Sequence, residues 1–99
     1  MGDSIRELTK KAAAFRDERD WSQFHNPKDL AISISLEAAE LLEIFQWSGP
    51  DTEADTEEKL AKIKEELADV LMYCLLLGDR LDLDIPEIIE AKLEKNKKK

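Results

Sequence analysis

This chain of 99 residues holds one cysteine, one histidine, three glycines and three prolines. A lone Cys74 cannot form an internal disulfide, so a cross-linked scaffold is excluded. With His25 the only histidine, the chain also lacks a Cys/His zinc cluster and the Glu-x-x-His pairs of a di-iron bundle. No segment alternates apolar and polar residues with a period of two, and no strand is predicted. Positive charge is scarce as well: 15 Lys and Arg stand against 23 Asp and Glu, a formal net charge of -8. Basic residues cluster only at the extreme C-terminus, so a nucleic-acid polymer would be repelled. The longest uncharged run of the C-terminal half, residues 70–78, is about half of the roughly 20 residues that span a bilayer, so no membrane partner is expected. "MGDSIRELTK" has no basic stretch leading into an apolar one, and Arg6 stands where a myristoylation signal needs Ser or Thr. Neither export nor a lipid anchor is expected, which leaves the cytoplasm.

What is present is helical periodicity with short punctuation, in one domain over residues 1–99. Ser4 and Glu7 have capping-box spacing, and Ile5, Leu8, Ala12 and Phe15 follow at helical intervals, which predicts a first helix over residues 5–19. "DWSQFHNP" reads as a loop that closes on Asn26 as N-cap and Pro27 in the first turn of a second helix, residues 27–46. "SGPDTEAD" reads as an exposed linker, and Asp55 or Thr56 caps a long third helix over residues 57–81. Leu60, Ile63, Leu67, Val70, Leu71, Cys74, Leu77 and Leu81 mark its apolar stripe. Asp84, Pro86 and Glu87 restart the chain as a fourth helix with Ile85, Ile88, Ile89 and Leu93 on its apolar side. The fold class is all-α, a four-helix bundle. Helices 2 and 3 are apolar around most of their circumference, more than helices 1 and 4 can cover, so the bundle is expected to be completed by homo-oligomerisation, as a dimer or a dimer of dimers.

The segment "AISISLEAAELLEIFQW" looks built for burial, yet carries Glu37, Glu40 and Glu43. At about 100° per residue, Ser33, Glu37 and Glu40 share one stripe, and Glu66, Asp69 and Tyr73 share one on the third helix. In so acidic a chain a single Glu-x-x-Glu pair means little, and Glu87/Glu90 reads as a solvated face. Glu37/Glu40 and Glu66/Asp69 differ because they lie in the two most apolar helices, which have little outward face to spare. Glu43 and Glu65 fall to the side as surface charges. Four carboxylates facing each other between two helices repel and are costly to desolvate unless a cation neutralises them. With oxygen donors alone, Mg²⁺ is the expected ion and Mn²⁺ its substitute, with open positions for substrate phosphates.

These residues carry a resemblance. "SLEAAELLEIFQW" and "KEELADVLMYCLLLGDRL" resemble the Glu-x-x-Glu and Glu-x-x-Asp signature of the MazG-like all-α nucleoside triphosphate pyrophosphohydrolases. "FRDERDWSQFHNPKDL" resembles the segment before the first metal helix in the dCTP pyrophosphatase branch, and "KLEKNKKK" resembles the end of the family's Lys-x-x-x-Asn-x-x-[Lys/Arg] helix. Family members often continue with Tyr-Pro, whereas this sequence stops at Lys99, so contacts from that extension are expected to be absent or to have been removed.

The resemblance implies Glu37, Glu40, Glu66 and Asp69 as metal ligands and catalytic residues. It implies a Mg²⁺-dependent attack of water on a (deoxy)nucleoside triphosphate, dCTP or a modified dCTP, giving the monophosphate and pyrophosphate. Tyr73, Lys92 and Asn96 match positions that touch phosphate or sugar in such enzymes. Their other readings are a core-edge tyrosine and a solvated helix face. His25, Phe24, Trp21 and Trp47 form an aromatic set for stacking a base, with packing as the competing reading. His25 and Trp47 stand at opposite ends of a helix roughly 30 Å long, so one base meets both only if a neighbouring subunit supplies one. Lys28 is a surface residue or an aid to phosphate binding. A non-enzymatic acidic helical association module, or the same chemistry on dUTP or another non-standard nucleotide, are the alternatives.

Overall fold

The computed structural model describes residues 2–46, 50 and 52–99, with side chains at 2, 3, 24 and 46 outside that description. Among these residues it is all-helical: α1 (Gly2–Glu18), a single 3₁₀ turn (Trp21–Phe24), α2 (Pro27–Gln46), α3 (Glu57–Arg80) and α4 (Ile85–Lys97), with no strand. None of these helices is long and apolar enough to cross a membrane.

Local chemistry accounts for the boundaries. Asn26 caps α2 by accepting from the Asp29 backbone N–H at 2.8 Å while its amide donates to the Asp29 carboxylate, also at 2.8 Å. Thr56 accepts from the Lys59 N–H at 3.1 Å, which makes it, of Asp55 and Thr56, the N-cap of α3, and Asp84 caps α4 by accepting from the Glu87 N–H at 3.3 Å. Helix α3 stops where Asp82 takes a left-handed conformation, φ 56°. The Leu83 N–H then reaches back to the Gly78 carbonyl at 2.8 Å and the Asp82 N–H to that of Asp79 at 3.1 Å, a Schellman closure. Asp20, also at φ 56°, ends α1 in the same backbone region; a short polar side chain tolerates it.

Two expectations are corrected. Helix α1 begins at Gly2, so Ser4 and Glu7 lie inside it and no capping box forms there. The box is a spacing of residue types, and a helix that continues upstream absorbs it. The segment after α1 is not wholly irregular, since Trp21–Phe24 makes a 3₁₀ turn that the His25 N–H continues by donating to the Ser22 carbonyl at 3.1 Å.

The principal pairing is α2 against α3; α1 lies across α3, and α4 touches α1. Buried Gly78 lets the start of α4 approach α3, because a Cβ there would stand 2.5 Å from Ile85 Cδ1 and 3.0 Å from its Cγ1. Arg6 on α1 donates to the Asp84 carboxylate at 2.7 Å. Asp84 thus caps α4 with one oxygen and ties it to α1 with the other. The interior is thin. Leu30 and Leu76 alone are buried apolar side chains among the described residues, while Leu36 is 61% and Leu42 57% exposed. The radius of gyration, 15.7 Å, exceeds the roughly 13 Å of a compact 100-residue domain.

Candidate functional site

The pairing of α2 with α3 brings carboxylates together. Glu37, Glu40 and Glu66 each offer an oxygen, and these oxygens lie within 4.8 Å of one another. Glu37 and Glu40 are one turn apart on α2, and Glu66 faces them from α3. Glu37 Oε2 and Glu66 Oε2 are buried without a hydrogen-bond partner among the described residues. Burial pushes the Glu37 carboxyl up to about 7, helped by its contact with Glu40 and the charges of Asp69 and Glu66. Glu66 is raised too, by burial first and then by Glu40 and Asp69. Carboxylates held this way share protons in the metal-free protein or meet a cation. Asp69 stands outside the three-oxygen cluster, close enough for its charge to act on Glu37 and Glu66. A carboxylate cluster of this kind is able to hold a divalent metal.

Beside the cluster a cavity of about 680 Å³ opens between α1 and α3. Its walls are mostly apolar, and Glu37, Asp69 and Tyr73 line it together with Phe15, Trp21 and Arg16. The aromatic rings form a chain. Trp21 meets Phe15 edge-on at 5.4 Å between centroids and His25 at 6.4 Å, and His25 in turn lies 6.3 Å from Tyr73. His25 Nδ1 is buried without a partner among the described residues. Burial, with the Arg16 charge nearby, holds the imidazole below its usual value, which keeps it neutral.

The structure therefore brings together Glu37, Glu40 and Glu66, with Asp69, Tyr73 and Trp21 along the adjoining cavity and His25 behind Trp21. Lys92 and Asn96 are exposed on α4 and are not among the residues that line this cavity within one chain. Trp47 and the Phe24 side chain lie outside the described residues.

Sequence reasoning passed over Arg16. Its side chain is 11% exposed, with Nε donating to Asp17 at 3.0 Å and Nη1 to Asp79 of α3 at 2.9 Å. The signal available was its place one residue after Phe15 on the inner edge of α1. Recognising it as partly buried needed the position of Asp79, 63 residues away.

Known proteins resemble this chain in sequence and in fold. Residues 32–99 match the MazG-like family. The chain is 34% identical to dCTP pyrophosphatase 1 of Mus musculus over 99 residues, covering 97% of this chain and 58% of that protein. It is 33% identical to dCTP pyrophosphatase 1 of Homo sapiens over the same shares of each. The chain thus spans a little over half the length of the curated relatives it matches. A crystal structure of a pyrophosphatase from Archaeoglobus fulgidus superposes with a TM-score of 0.81 at 44% identity, covering 96% of this chain and 90% of that one. With its paired helices, its facing carboxylates and a family match over more than half its length, this chain belongs to the MazG-like family.

Proposed function

We propose that this protein hydrolyses (deoxy)nucleoside triphosphates, dCTP or a modified dCTP foremost, to the monophosphate and pyrophosphate, with Mg²⁺ as cofactor and Mn²⁺ as substitute. The observation that carries this reading is the cluster of Glu37, Glu40 and Glu66, with two buried oxygens left without partners among the described residues. The names of the relatives, dCTP pyrophosphatase and pyrophosphatase, support the substrate and the bond cleaved.

The donor set fits a hard divalent cation, since it offers carboxylate oxygen alone and its orphaned atoms need a positive charge. Glu37, Glu40 and Glu66 would hold the ion, with Asp69 beside them as the fourth carboxylate. Once bound, it would screen the triphosphate from the acidic surface and stabilise the charge that develops as water attacks the α-phosphorus. Tyr73, one turn beyond Asp69, lines the same cavity and would touch sugar or phosphate. Trp21 and Phe15 offer an apolar aromatic wall to the base, with His25 backing Trp21. Lys92, Asn96 and Trp47 belong to the proposed site through a neighbouring subunit.

A second copy of the chain is part of the proposal. The accessible surface of 7761 Å² exceeds by roughly 2,000 Å² what a compact monomer of this mass exposes. Exposed leucines and isoleucines lie on α2, α3 and α4. An obligate homo-oligomer, with a dimer as the minimum and a dimer of dimers as the larger form, would cover them.

The test is a panel of nucleoside triphosphates with Mg²⁺ in which pyrophosphate and inorganic phosphate are measured separately. Pyrophosphate as product, lost on chelation, supports the proposal. Stepwise release of inorganic phosphate, or no turnover of any nucleotide, refutes it.

A further inference from the structure

We infer that Arg16 reads the edge of the nucleobase and selects bases that present two adjacent hydrogen-bond acceptors. This rests on the nucleotide reading above and names the group that gives it base preference.

Stacking on Trp21 and Phe15 accepts any base, so selection requires a polar group at the base edge. The cavity of about 680 Å³ offers few such groups away from the carboxylates, and its size is that of a small-molecule site. Its cations are Arg16 and Lys11, and Lys11 is exposed, whereas the Arg16 side chain is only 11% exposed. Nε and Nη1 hold Arg16 to Asp17 and Asp79, and Nη2 has no hydrogen bond among the described residues. Asp79 does not line this cavity but a smaller one between α1 and the start of α4. Asp79 thus holds the guanidinium from outside the cavity that Arg16 lines, and in the inferred role the remaining N–H groups serve the base.

Charge separates a base role from a phosphate role. One guanidinium with two carboxylates carries a local charge of -1, which offers a triphosphate no attraction. A neutral base edge meets no such repulsion. Guanidinium donates and never accepts. Cytosine presents O2 and N3 as adjacent acceptors, and guanine presents O6 and N7. Thymine and uracil place the N3–H donor between two acceptors, and adenine sets a donor beside each acceptor on that edge. Those bases would leave a donor facing a donor, and an unmatched buried polar group is costly.

The experiment compares steady-state kinetics on dCTP, dGTP, dTTP, dUTP and dATP for wild type, Arg16→Met, Arg16→Lys and the double variant Arg16→Met/Asp79→Leu. The double variant leaves Asp79 no unpaired charge, and Arg16→Lys keeps the ion pair, so a misfolded single variant does not end the test. The expected result is a rise in KM of about tenfold or more for the preferred nucleotide, with kcat nearly unchanged and the preference over dTTP flattened. Lysine should not restore it, because an ammonium lacks the planar fork. The dGTP arm separates the two acceptor-bearing bases. Arg16→Lys with wild-type KM and preference, or a double variant that still discriminates, overturns the inference while the pyrophosphohydrolase reading stands. A fall in kcat at constant KM also overturns it, by placing Arg16 on the phosphates. If the wild type releases pyrophosphate from no nucleotide, the functional reading fails and the inference falls with it.

Discussion

Glu37 on α2 and Glu66 on α3 each bury one carboxylate oxygen without a hydrogen-bond partner among the described residues, and each brings an oxygen within 4.8 Å of the other. Two anions in that position destabilise the metal-free protein. Glu37→Gln and Asp69→Asn are therefore expected to leave the metal-free melting temperature unchanged or higher while abolishing Mg²⁺-dependent hydrolysis. Added Mg²⁺ should stabilise wild type by roughly 2.7 kcal/mol at about 100 times its Kd and the variants by less. Thermal melts with and without chelator check this; full activity in both variants would sink the metal assignment.

The same contact sets a pH dependence. In the unfolded chain Glu37 titrates at its ordinary 4.5, and in the folded metal-free protein burial raises it to about 7. The folded state thus holds the proton more tightly, so the contribution is fully present below 4.5 and lost as pH rises through 7. Metal-free protein should melt at a higher temperature at about pH 5 than at about pH 8. Asp84 works in the opposite sense, since hydrogen bonding to Arg6 foremost holds it below its usual 3.8, and its contribution disappears only at more acidic pH. In Glu37→Gln the slope between about pH 5 and 8 should flatten; an unchanged slope would remove Glu37 from the account.

Leu36 and Leu42 on α2, 61% and 57% exposed, belong to the apolar surface that the proposed oligomer would cover. Light scattering at micromolar concentration should give two or four times the chain mass of 11.3 kDa. Leu42→Asp should shift the mass toward the monomer and lower the melting temperature by several degrees, because a buried unpaired carboxylate is costly. A monodisperse wild-type monomer would contradict the oligomer.

Trp21 is 39% exposed and lines the cavity beside Phe15. Trp21→Ala should raise KM for the best nucleotide by about tenfold, from the loss of roughly 1–3 kcal/mol of stacking, with Mg²⁺ binding spared. His25→Ala and Trp47→Ala should act in the same direction. Calorimetry with Mg²⁺ alone separates this from misfolding; wild-type KM in all three variants would place the base elsewhere.

The sequence by itself determined the helices and most of their ends. Asn26, Thr56 and Asp84 each accept from an N–H three residues on, and interactions that short are written in residue order. It also placed Glu37 with Glu40 and Glu66 with Asp69, because helical period alone sets which residues share a face. The tertiary structure decided what those faces meet. Packing of α2 on α3 brought Glu66 to Glu37 and Glu40 and left Asp69 at the side. Packing of α1 on α3 brought Asp79 to Arg16 and turned a charged residue in the last turn of α1 into a wall of the cavity. Such pairings join residues tens of positions apart, and they are chosen by which apolar surfaces are removed from water together, a property of the whole chain that no local pattern encodes.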